Sequence, residues 1–98
     1  MTSKQRSYLM KLASSLDPIL QIGKSGLTAE LTQAVDEALE ARELIKLNVL
    51  KNCFEDGREL AQMLAERTRS EVVQVIGRKI VLYRQARDPK DRKIILPK

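Results

Sequence analysis

Within one short stretch this chain must change conformation twice, and that requirement limits the fold more than any other feature of the sequence. Asp17-Pro18 ends whatever helix precedes it, because the residue before a proline is pushed out of the α region. Ile19, Leu20 and Ile22 then read as a short strand, Gly23-Lys24-Ser25-Gly26 turns the chain, and Thr28 is placed to cap a new helix. A strand that runs through a glycine turn into a helix begins a strand–helix–strand crossover, and such folds bind ligands where strands give way to helices. Two glycines flank a cation and a hydroxyl here. Glycine lets another backbone approach closely, and the first amides of a helix point toward any anion.

Three readings of this turn compete: simple punctuation, a nucleotide P-loop, or a GxxG clamp for a nucleic-acid backbone. The P-loop pattern G-x-x-x-x-G-K-[ST] requires a glycine five positions before Gly23, where this chain has Pro18. Proline lacks the amide donor that a phosphate cradle needs. Punctuation and clamp remain open on the turn alone.

The rest of the chain supplies the remaining elements. Residues 3–15 read as a first helix, with Ser3 as the N-cap and Leu9, Leu12, Ala13 and Leu16 along one stripe, leaving Lys4 and Lys11 on the other side. From about Thr28 to Ala41, Leu27, Leu31, Ala34, Val35 and Ala38 recur at helical spacing, with Gln33, Asp36 and Glu40 on an acidic outer face. Leu44 to Leu50 alternates as a strand, with Ile45, Leu47 and Val49 on one side and Lys46 and Asn48 on the other. Asp56 and Glu59 form an aspartate version of the capping box before a third helix that carries Leu60, Ala61, Met63 and Leu64 inward. Val72–Ile76 and Lys79–Tyr83 pair through Gly77-Arg78, the glycine-first order of a type II′ turn, which puts Arg78, Lys79 and Arg84 at the tip and far end. The expected fold is a single α/β domain in the order α-β-α-β-α-β-β. Its four-stranded mixed sheet packs with helices, the second and third on the same face.

Charge is unevenly placed along the sequence. The net charge is +5, but residues 1–26 hold four basic side chains against one acidic, residues 27–71 six against ten, and residues 72–98 eight against two. If the ends meet in space, one face is basic and favours a polyanion. The single cysteine, Cys53, has no bridging partner, and with no histidine it lacks both a zinc-ligand cluster and an activating base. A reduced thiol and a cytoplasmic location are expected, with no membrane-spanning or signal segment. No catalytic residue, metal or cofactor is expected, and no small-molecule substrate.

Taken together, Leu16 through Leu27 with Ile22-Gly23-Lys24-Ser25-Gly26-Leu27-Thr28, the middle Glu43-Leu44-Ile45-Lys46, and Val73-Gln74-Val75-Ile76-Gly77-Arg78 with Val81-Leu82-Tyr83-Arg84 resemble the CRM domain. The form they resemble is the stand-alone bacterial YhbY-like one, and the resemblance covers nearly the whole chain. It implies a fold similar to the C-terminal domain of a bacterial translation initiation factor. It also implies an RNA-binding module associated with precursors of the large ribosomal subunit. On this reading residues 1–84 form the domain, and 85–98 are a basic C-terminal segment that packs back through Ile94-Ile95-Leu96. The expected RNA contacts are Gly23, Lys24, Ser25 and Gly26, joined by Lys4, Lys11, Arg78, Lys79 and Arg84, in a non-catalytic monomer. With only Tyr8, Phe54 and Tyr83 as aromatics, recognition should rest on backbone charge and RNA shape, with Tyr83 the one residue considered for stacking. The alternative is a protein-binding adaptor that uses the acidic second helix.

Overall fold

A computed structural model describes residues 1–98. Its elements are α1 (Ser3–Ala13), β1 (Leu20–Ile22), α2 (Ala29–Arg42), β2 (Leu44–Val49), α3 (Gly57–Thr68), β3 (Glu71–Ile76) and β4 (Lys79–Tyr83), followed by one 3₁₀ turn at Pro89–Asp91. The strands lie in the order β1-β2-β4-β3. β1 runs parallel to β2, while β4 is antiparallel to both β2 and β3, so the sheet is mixed as expected.

Alternation along the strands divides the core into two layers. Ile45, Leu47, Val49, Ile80 and Leu82 meet Val35 and Leu39 of α2 and Leu60, Ala61, Leu64 and Ala65 of α3 in one buried cluster. The two crossover helices therefore share a face. The opposite side chains Leu44, Val73, Val81 and Tyr83 pack with Leu9 and Ala13 of α1, while Ile94 and Leu96 of the C-terminal segment pack against that cluster. Cys53 lies in the first cluster and is buried.

Three local expectations are corrected. The cap of α1 is Thr2 rather than Ser3, because only Thr2 has a partner three residues on: its hydroxyl accepts from the Gln5 amide at 3.1 Å while Gln5 Oε1 accepts from the Thr2 amide at 3.0 Å. Asp56 does cap α3, accepting from the Arg58 amide at 3.2 Å, but no return bond from Glu59 completes a box. Met63 is 39% exposed, since the inward stripe of α3 runs through Leu60, Ala61, Leu64, Ala65 and Thr68. The register of β3 also slips between Val72 and Gln74, and the Arg6 guanidinium donates to the Val72 and Val73 carbonyls there, at 2.6 and 3.0 Å. That bulge was not visible in the sequence pattern.

Candidate nucleic-acid interface

The turn at Gly23 is built by the chain around it. The Gly26 amide donates to the Gly23 carbonyl at 3.0 Å, closing a tight turn with Lys24 and Ser25 exposed at its apex. Gly26 has φ +65°, and a Cβ placed there would lie 3.1 Å from Glu55 Oε1. The positive φ favours glycine at this position, while a Cβ would only press on the exposed, flexible Glu55 carboxylate. Thr28 then caps α2 by accepting from the Leu31 amide at 3.0 Å, which leaves the Ala29 and Glu30 amides at the helix start. The apex thus precedes the helix N-terminus by several residues, so its cation and the helix amides form neighbouring sites rather than one cradle.

Pairing brings two further loops to this edge. Ile22 pairs with Val49 and Asn48 with Lys79, so the Gly23 turn, the β2–α3 loop and the β3–β4 hairpin tip all lie at the same end of the sheet. Gly23 sits against Leu50 and Asn52. Arg78 donates to the Leu50 carbonyl at 3.1 Å, and Lys79 Nζ to Asn48 Oδ1 at 2.7 Å. Gly77 has φ +55° and Arg78 does not have positive φ, the combination a type II′ turn requires. The edge therefore displays Lys24, Lys51, Arg78 and Lys79. Lys51 was not among the sequence-derived site residues; the signal available was its place directly after a strand beside the glycine turn.

Around the corner, α1 covers only part of its sheet face. A cleft of about 290 Å³ runs between Met10 and Ala13 of α1, with Ser14 just past its end, and Lys46, Gln74, Ile76, Lys79 and Val81 of the sheet. Lys4 and Lys11 are exposed on α1 itself.

Arg84 does not belong to this surface. It is 7% exposed, pairs with Asp36 and Glu40, and donates to the Thr68 and Asp36 carbonyls at 2.8 and 3.0 Å. It closes β4 at the other end of the sheet, joining α2 to the end of α3. Tyr83 is likewise buried, which removes it as a stacking residue, and burial raises its hydroxyl pKa.

The acidic outer face of α2 is also reassigned, because the C-terminal segment occupies part of it. Glu40 accepts from the Arg87 and Asp88 amides, each at 3.0 Å, and Asp36 pairs with Arg84 and Arg87. Glu43, fully buried, accepts from Ala86 at 2.8 Å through Oε2 and from Lys93 and Ile94 at 2.6 and 2.9 Å through Oε1. All three carboxyls are held below their ordinary values: Asp36 chiefly by the Arg84 bond, Glu40 by the Arg87 and Asp88 amides. For Glu43 burial pushes upward, but the bonds from Lys93, Ala86 and Ile94 outweigh it. Asp36, Glu40 and Glu43 are thus paired near the start of β2, while Lys24, Lys51, Arg78 and Lys79 gather at its finish, where Glu55 and Asp56 also lie.

The CRS1/YhbY (CRM) domain model matches residues 1–84. The chain belongs to that family. Over 90 residues this CRM domain is 46% identical to Probable RNA-binding protein YqeI of Bacillus subtilis, covering 92% of this chain and 94% of that one. It is 33% identical to an RNA-binding protein of Haemophilus influenzae, also over 90 residues, covering 92% and 91%. In three dimensions it is similar to the solution structure of hypothetical protein SAV1595 from Staphylococcus aureus, at TM-score 0.80 and 50% identity with 99% of each chain covered.

Proposed function

We propose that this CRM domain is a non-catalytic RNA-binding protein that engages ribosomal RNA in precursors of the large subunit, as a monomer in the cytoplasm. The observation that carries RNA binding is the meeting of Lys24, Lys51, Arg78 and Lys79 at the edge that bears the Gly23–Gly26 turn. Exposed cations on a rigid edge neutralise phosphates, and the relatives named as RNA-binding proteins make RNA the natural polyanion. The ribosomal part rests on the family resemblance. The site offers no histidine to act as a base, and its cations are arranged for holding rather than for chemistry.

Two measurements test the reading. Binding to structured RNA should weaken at least tenfold for a fourfold rise in salt if about four phosphates are engaged, since each neutralised phosphate releases condensed counterions. In gradient-fractionated lysate the protein should sediment with large-subunit precursors. A flat salt response would remove the electrostatic account, and sedimentation with free protein alone would remove the ribosomal one.

A further inference from the structure

One residue at this edge has no role in holding phosphates or in packing. Phe54 is 94% exposed, while the chain on both sides of it is pinned. Cys53 is buried and its amide donates to the Leu50 carbonyl at 3.0 Å, and Asp56 caps α3. A fixed backbone thus presents an aromatic ring to solvent. A ring held out in this way is free to stack on a partner.

The surroundings say what would cover it. Phe54 lines a cleft of about 430 Å³ with Lys51, Glu55, Gly77 and Arg78, a volume within the range of small-ligand sites. Lys51 and Arg78 favour an anionic chain passing the cleft. Glu55 makes no hydrogen bond within the protein, although its carboxylate approaches Gly26. An ionised carboxylate is an acceptor only, and the exocyclic amino group of a nucleobase is a donor that it can take.

We propose that Phe54 stacks an unpaired base of the same RNA whose phosphates meet the Gly23–Gly26 turn, and that Glu55 accepts from that base's amino group. The inference rests on the RNA-binding reading and adds base preference to it. Adenine, cytosine and guanine carry an exocyclic amino group, whereas uracil does not, so uracil is disfavoured at this position.

The test uses hairpin RNAs with a single-stranded extension of adenines or of uracils, one adenine replaced by 2-aminopurine. The parent should bind the adenine form more tightly and quench the 2-aminopurine. Phe54→Ala should lose about five- to 150-fold in affinity for the adenine form, the range of one base–aromatic stack. It should also lose the quenching, while Phe54→Trp keeps both and Glu55→Gln narrows the preference over uracil. Because Phe54 is almost wholly exposed, none of these changes touches the core. If Phe54→Ala binds and quenches as the parent does while Lys24→Asp with Ser25→Asp loses binding, stacking is overturned and the phosphate site stands. If all variants bind alike, or the parent binds neither RNA, the underlying reading fails with it.

Discussion

Replacing Glu43 by Gln alters almost no volume yet should be one of the most damaging single changes in this protein. The two carboxylate oxygens accept three backbone N–H bonds, from Ala86, Lys93 and Ile94, at 2.6 to 2.9 Å. Glutamine turns one oxygen into a donor, so whichever way the amide faces, at least one buried N–H meets another N–H. An unsatisfied buried donor costs about 1–3 kcal/mol, and the surviving bonds fall from charge-assisted to neutral, about another 1 kcal/mol each. An amide is easier to bury than a carboxylate. However, the depressed pKa of Glu43 means that its bonds already exceed the cost of burying its charge. The net loss should be about 2–4 kcal/mol, a large part of the ~5–15 kcal/mol that holds a small domain. At about 4–8 °C per kcal/mol for a domain of this size, the melting point should fall by at least about 8 °C. Thermal unfolding followed by circular dichroism measures it. Amide hydrogen exchange should show Ala86, Lys93 and Ile94 losing protection first. A melting point within about 2 °C of the parent would refute the claim that this buried carboxylate fastens the C-terminal segment.

Three other outcomes are expected. Arg84→Ala should destabilise by about 2–3 kcal/mol, below the range for fully buried pairs because Asp36 is partly exposed; RNA affinity of the folded variant should be unchanged, and a specific loss of affinity would return Arg84 to the interface. Gly26→Ala should cost about 1–2 kcal/mol from the positive φ alone, read as a lower melting point, and equal stability would mean that the turn adopts another conformation. Stability should also fall in acid: Asp36, Glu40 and Glu43 have folded pKa values below their ordinary 3.8, 4.5 and 4.5. Their contribution is therefore complete above about pH 5 and is lost as pH drops through the depressed values. A melting point constant from pH 7 to pH 3 would contradict this.

Element order was legible in the sequence because periodicity and punctuation are local. The Asp17-Pro18 break, the glycine turn, the alternation from Ile45 to Val49 and the Gly77-Arg78 hairpin each appear within a few residues of one another. What failed was mostly long-range. Arg84 looked like an exposed end of a basic hairpin because Asp36, its partner, lies 48 residues away. The acidic face of α2 looked solvated for the same reason, and the positive φ of Glu43, 66°, has no sequence signal in a residue that is not glycine. At the candidate site the turn was visible, but its neighbours were not. Lys51 and Phe54 join it only because β1 pairs with β2, which brings the β2–α3 loop beside Gly23.

The most direct test of the central claim reverses the charge at the apex of the turn. Lys24→Asp with Ser25→Asp places two carboxylates where phosphates are expected, at exposed positions that fill no part of the core. The matched control is Glu37→Lys, an exposed residue of α2 with no ion pair or side-chain bond. Affinity for a structured ribosomal RNA fragment at about 0.1 M salt should fall at least tenfold in the double variant, because like charges replace an attraction within one Debye length. It should hold or rise slightly in the control, and both proteins should melt within a few degrees of the parent. Undiminished RNA binding by the double variant, at parental stability, would contradict the account and leave Gly23–Gly26 as a turn alone.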